Sequence, residues 1–357
     1  MSRATGRAGA DPRRLARTAA ALAGTVIVFG GAATVVGVDS VREAIAGADA
    51  ETLALVAGLA VAVLILRGLA LRVSLGVLGH RAPMGRAVGA YAATTLVSTL
   101  APGGQAAGAP VNGLLVARSS ETDYEDALAA VVAVSALTNL LVGLFGIAGV
   151  GYLLATAGDG DVAALAAVGV GLFGLALLGA VGLWRVRDRA TERAVSAFYT
   201  LGRALCVVPR VAPPDRDAVA DRIARFRASF ERLHGASARE LVALVGLLAA
   251  AHAATVAALW LSFRAVGQPV SVGVLLAVVP AAVAAAVVPT PGGSGVDVAL
   301  VALLAAGTDA VAPVAGAAVL VYRVGTSGPT LLAGGAVGVA IVSLGWLRES
   351  DGRPEAD

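Results

Sequence analysis

Pro289-Thr290-Pro291-Gly292-Gly293-Ser294-Gly295-Val296-Asp297 interrupts an apolar stretch that otherwise runs from 273 to 306. Proline removes a backbone donor and crowds the preceding turn, and adjacent glycines loosen the chain, so one straight helix should not continue through these residues. The stretch 88–117 is interrupted in the same way by Ala101-Pro102-Gly103-Gly104, and again by Pro110. Each reads as a re-entrant hairpin of two half-helices. Around them lie seven unbroken apolar runs, at about 18–38, 52–72, 127–155, 162–184, 239–263, 310–325 and 328–347. Their lengths approach the roughly 20 residues that a helix rising ~1.5 Å per residue needs to cross ~30 Å of hydrocarbon. Lipid offers a backbone N–H or C=O no partner outside its own segment, so these runs must be helical. They do not alternate as the strands of a membrane barrel do.

Composition agrees with this reading. Of 357 residues, 58% are hydrophobic and 14% charged, against about 25% charged in a soluble domain. All 27 basic residues are arginine, which points to codon bias more than to function. A single cysteine, Cys206, excludes an internal disulfide and any multi-cysteine metal site. His80, His234 and His252 are scattered without ligand spacing, so no metal or other cofactor is expected, and neither is nucleic acid. The expected fold is an all-α polytopic membrane protein with about seven transmembrane helices and two re-entrant broken-helix hairpins.

The order helix, broken hairpin, helix, helix occurs twice, over 52–184 and 239–347. Pro102-Gly103-Gly104 answers to Pro291-Gly292-Gly293, and Asp126-Ala127 to Asp309-Ala310. Residues 1–51 form a basic tail and first span, 185–238 a connecting loop, and 348–357 a polar tail. Arginines crowd the N-terminus, the 72–87 connection and the 185–238 loop, which places all three in the cytoplasm. The connections at 39–51 and 156–161 are acidic and fall outside. On this count the C-terminal tail also falls outside, with Arg264, Arg348 and Arg353 as exceptions. The first repeat then starts outside and the second inside, so the repeats are inverted. Inverted repeats with discontinuous helices characterise many transporters whose sites lie near the midplane; duplication for stability alone is the plainer reading. Within 185–238, Ile223, Phe226, Phe230 and Leu233 fall at helical spacing among arginines. This basic amphipathic helix lies either on an anionic leaflet or on the protein's own cytoplasmic face.

The half-helix after Gly292 and Gly293 begins with N–H groups that lack intrahelical acceptors, an arrangement suited to phosphate; Ser294 or Thr290 serves equally well as its cap. Gly103, Gly104 and Gln105 offer the same geometry from the other side. Asp297 and Arg323 are charges inside apolar segments, which are costly and usually face a cavity or each other. Their role is either a structural ion pair or substrate binding and coupling. Arg67 either snorkels to headgroups or faces inward. Asn139 and His252 read as interhelical hydrogen-bonding groups, and Tyr322 as a stacking or packing residue. No nucleophile–base spacing suggests an enzyme.

Pro289 to Asp297, the apolar run to Ala306, then Ala317-Ala318-Val319-Leu320-Val321-Tyr322-Arg323 and Gly334-Gly335 resemble the flippase-like transmembrane family typified by the membrane portion of bacterial lysylphosphatidylglycerol synthases, over about 50–347. Members commonly carry Glu at the position of Asp297. They also commonly carry Gly-Glu-Pro-x-Arg where this chain has Gly108-Ala109-Pro110-Val111-Asn112. The resemblance implies a cell-membrane protein that moves an anionic lipid or polyprenyl-phosphate-linked substrate between leaflets. The alternative it leaves open is a non-transporting membrane partner of a separate glycosyltransferase or aminoacyltransferase. Aminoacyl transfer by this chain alone is not expected.

Overall fold

The computed structural model describes residues 50–100, 104–156, 216–284, 294–308 and 312–351, with isolated helical positions at 167, 171, 174 and 178. The expected spans 18–38 and 162–184 lie outside the described residues, apart from those isolated positions. The described residues fold as α1 (Ala50–Val77), α2 (Met84–Leu100), α3 (Gly104–Ser120), α4 (Tyr124–Thr156), α5 (Arg216–Leu233), α6 (Ala238–Ala265), α7 (Val272–Ala284), α8 (Ser294–Gly307) and α9 (Ala312–Asp351), with no strand among them. Helices α1, α4 and α6 are each long and apolar enough to cross a membrane.

Local chemistry sets the helix ends. Ser237 caps α6 by accepting from the Glu240 N–H, while the Glu240 carboxylate accepts from the Ser237 N–H, satisfying two otherwise orphaned donors. At the other end, Gly267 (φ +75) donates to Arg264 O, and Gln268 N donates to Phe263 O. Helix α1 closes identically: Gly79 (φ +92) donates to Gly76 O, and His80 N donates to Leu75 O. This left-handed closure is one that glycine adopts without steric cost.

The two sets of helices share one register. Helices α1, α2 and α4 start at 50, 84 and 124, and α6, α7 and α9 at 238, 272 and 312, a constant lag of 188 residues. The buried residues of α1 are Val56, Ala60, Leu64, Gly68, Ala70, Leu71, Ser74 and Leu75. Every one has a buried counterpart 188 residues later in α6, from Leu244 to Phe263. Packing follows the same rule. Helix α1 lies against α2, α4 and α9, and α6 against α7, α9 and α4; α4 packs on α7 as α9 does on α2. Ala70 and Val73, late in α1, pack with Leu244, Val245 and Leu248, early in α6, so the two helices run antiparallel.

Glycine permits the closest approaches. A Cβ on Gly149 of α4 would come within 2.6 Å of Ala277 N on α7. Without a side chain, two helices can meet at backbone distance, the small-residue packing used where lipid gives no hydrophobic drive. Gly151, two residues on, faces open space. Gly149→Leu should therefore lower stability by about 1–3 kcal/mol through forced separation of α4 and α7, whereas Gly151→Leu should not. Thermal melts of the two purified variants in one detergent check this; equal melting temperatures would contradict it.

The structure corrects the sequence reading in three places. The runs 310–325 and 328–347 are a single helix, α9, which continues through Pro329. A proline costs one main-chain bond, and the Thr326 and Thr330 hydroxyls engage the carbonyls of Tyr322 (2.7 Å) and Thr326 (2.8 Å) beside it, the compensation that lets proline sit in membrane helices. Pro110 likewise lies inside α3 and does not end it; the other expected interruption, at 101–103, lies outside the described residues. Helix α1 runs five residues past its expected end, to Val77, because nothing before Gly79 stops it. Of the two seats left open for the basic amphipathic helix, α5 takes the one on the protein itself: its Ser229 is 2% exposed, and Leu233 packs against the core formed by α1 to α4.

A polar cluster inside the bundle

Asp297 stands in the first turn of α8, where the helix dipole favours an acid. Arg323 of α9 reaches it, Nε donating to Oδ1 at 2.6 Å. Tyr322 lies within electrostatic range of Arg323, Asp297 and Arg67. Arg67 of α1 turns into the bundle and does not snorkel: Nη1 donates to the Tyr91 hydroxyl at 3.3 Å. Its Nε is buried with no hydrogen-bond partner among the described residues. His252 of α6, 2% exposed, stacks obliquely on Phe145 with centroids 5.0 Å apart and is within electrostatic range of Arg67. Among the described residues the expected interhelical hydrogen bond of His252 is not made, and its Nε2 has no partner.

Of the residues singled out from the sequence, Asp297, Arg323, Tyr322 and Arg67 thus come together. Asn139 does not: it is exposed on the outer face of α4, away from the cluster, because its helix turns Val134 and Leu141 inward instead. Gly104 and Gln105 open α3, and Ser294 opens α8. Gly103, Thr290, Gly292 and Gly293 lie outside the described residues. Sequence reasoning missed Tyr91, which no spacing ties to Arg67. It also missed Asn112, whose Nδ2 donates to Ser98 Oγ at 2.9 Å while its Oδ1 is buried with no partner among the described residues.

A second polar group clamps α5 to the bundle. Asp126, in the first turn of α4 and just ahead of its apolar run, accepts from Ser229 Oγ at 2.5 Å, pairs with His80 Nε2 at 2.6 Å and takes a hydrogen bond from Arg232. Beside it Arg225 pairs with Glu125 at 3.1 Å. Burial by itself would raise the Asp126 carboxyl, but the hydrogen bonds from Ser229 and His80 and the Arg232 charge outweigh it and hold the group below its ordinary value. Ser229, Asp126 and His80 are not a catalytic triad. The serine hydroxyl is bonded to the carboxylate and not to the imidazole, so no base is placed to activate it. Among the described residues no group of His, Cys, Asp and Glu could hold a metal.

The sequence profile of the family described as Lysylphosphatidylglycerol synthase TM region matches residues 19–334. The chain belongs to this family. The match takes in both sets of helices, the α5 clamp and all of Asp297, Tyr322, Arg323 and Arg67, and it describes the membrane part of those synthases, not a catalytic domain. This member is accordingly an α-helical membrane protein of flippase-like type. No curated protein and no solved structure matches it.

Proposed function

We propose that this member of the lysylphosphatidylglycerol synthase TM region family moves an anionic lipid or polyprenyl-phosphate-linked substrate between leaflets of the cell membrane. The movement is a rocking of two inverted sets of helices around a site near the midplane. The observation that carries the reading is the Asp297–Arg323 pair: two charges held between α8, a half-helix of 14 residues, and α9, within a frame whose halves share one register. Antiparallel α1 and α6 with equivalent buried positions are what a two-fold axis in the membrane plane requires.

The continuity of α9 supports a different topology for the C-terminal end. A single crossing in place of two returns the C-terminal end to the side of α5. Arg348 and Arg353 then join the other cytoplasmic arginines, leaving outside Arg42 of the acidic 39–51 connection and Arg264, which lies 4.9 Å over the Trp260 ring, a favourable seat for a cation. A reporter fused after Asp357 should be active only in its cytoplasmic form; activity of an exclusively extracytoplasmic reporter would overturn the single crossing.

The direct test is reconstitution of the purified chain in liposomes with fluorescent anionic phospholipids and polyprenyl-phosphate lipids. Exchange between leaflets well above protein-free vesicles is the expected result. No exchange across the panel would move the reading to a membrane partner that presents lipid to another enzyme.

A further inference from the structure

We infer that Arg67, with Tyr91 and Tyr322, forms a binding site for one phosphate group at the middle of the bundle, selective for amphiphiles of net charge minus one over zwitterionic ones. The inference deepens the transport reading and rests on it for the lipid as bearer of the phosphate.

The first observation is an uncompensated charge. A guanidinium has five N–H donors in a planar fork, yet among the described residues Arg67 makes one hydrogen bond, to the Tyr91 hydroxyl at 3.3 Å. Its Nε is buried and unpartnered. The carboxylate of the cluster, Asp297, is taken by Arg323. A cation in a membrane interior is expensive without an anion beside it, and the guanidinium fork matches phosphate oxygens two at a time. The Tyr91 hydroxyl, at 3.3 Å, and the Tyr322 hydroxyl, within electrostatic range, are the further donors.

Register supplies the second observation. The position equivalent to Arg67, 188 residues later, is Thr255, which bonds to Ala251 O of its own helix at 2.9 Å. The shared packing frame therefore forms without a charge at this place. The third is location. Late α1 packs with early α6, so equivalent positions of the two helices meet between those ends, where Arg67 is within electrostatic range of His252. Under an in-plane two-fold axis that crossing level is the membrane midplane.

Charge counting gives the selectivity. Arg67 and Arg323 against Asp297 leave one positive charge, which a single phosphodiester balances. The ammonium of a zwitterionic headgroup would find no carboxylate in the cluster that is not already paired.

The test measures binding of acyl-labelled phosphatidylglycerol and phosphatidylcholine to the full chain in detergent. Arg67→Gln should weaken phosphatidylglycerol binding by about tenfold or more, the scale of a lost charge-assisted contact. Arg67→Lys should lose less, and phosphatidylcholine binding should be alike in all three proteins. Competition by inorganic phosphate distinguishes free phosphate, which would displace the probe, from the lipid headgroup, which would resist it; either supports the site. Unchanged phosphatidylglycerol affinity in a folded Arg67→Gln, or an equal loss for both lipids, overturns it. Should Arg67→Gln not fold, the Tyr91→Phe/Tyr322→Phe double variant decides: weaker phosphatidylglycerol binding at an unchanged melting temperature supports the site, and unaltered binding overturns it. Selective loss of binding together with a wild-type protein that moves no lipid would keep the site and discard transport; lipid movement with unchanged binding in Arg67→Gln would do the reverse.

Discussion

Asp297→Asn should abolish lipid exchange in proteoliposomes and lower the stability of the protein, while Asp297→Asn combined with Arg323→Gln should recover stability but not exchange. Arg323 donates to Asp297 at 2.6 Å, and the two side chains are 31% and 24% exposed. Removing the acid leaves a guanidinium without its anion between α8 and α9, and breaking a buried pair from one side typically costs about 3–5 kcal/mol. Removing both charges takes that penalty away, because no uncompensated ion is left behind. If the pair were only a brace, the double variant would regain exchange along with its melting temperature. Loss of exchange in a well-folded double variant assigns the charges to substrate or coupling; full exchange in either variant would limit the pair to architecture. Asp297→Glu keeps the charge on a longer arm and should retain measurable exchange.

Asp126→Ala should free α5 from the bundle. The carboxylate is 7% exposed in its side chain and is shared by Ser229, His80 and Arg232. Its loss leaves the Ser229 hydroxyl without its acidic acceptor and Arg232 without its anion. Charged hydrogen bonds contribute about 1.5–3 kcal/mol each and are not additive, so a loss on the order of 3 kcal/mol is expected, confined to the docking of α5. Limited proteolysis reads it locally: cleavage within 216–236 should become fast while the membrane helices remain protected. Glu125→Gln, which weakens only the more exposed Arg225 pair, should change cleavage little, since exposed pairs contribute about 0–1 kcal/mol. Equal protection in Asp126→Ala and wild type would show that Leu233 and its apolar neighbours hold α5 by themselves.

Length and hydropathy made the long helices legible, because the bilayer imposes both: α1, α4 and α6 appear where apolar runs predict them. Pro-Gly-Gly at 102–104 and 291–293 stood out because it has few ways to continue a helix; residues 101–103 and 285–293 lie outside the described residues. Asp297 and Arg323 stood out as charges in apolar surroundings. What the sequence could not supply was partnership across the chain. Asp126 and Arg232 are 106 residues apart and Arg67 and Tyr91 24 apart, on elements whose adjacency is a product of packing. The runs 310–325 and 328–347 were divided at Thr326-Ser327, because two polar residues are visible in the sequence, whereas the threonine back-bonds that carry α9 through this place are not. Arg67 sits in a run compatible with snorkelling; only the inward turn of its side chain toward Tyr91 settles its direction.

Helix α9 has 40 residues and so measures about 60 Å, twice the hydrocarbon thickness. A crossing therefore uses only part of the helix, and Gly334, past its middle, still meets α2, where a Cβ would come within 2.7 Å of Ala92 O. The same helix carries Arg323 against Asp297 of α8, so one continuous element ties the charge pair of the second set of helices to the wall formed by the first.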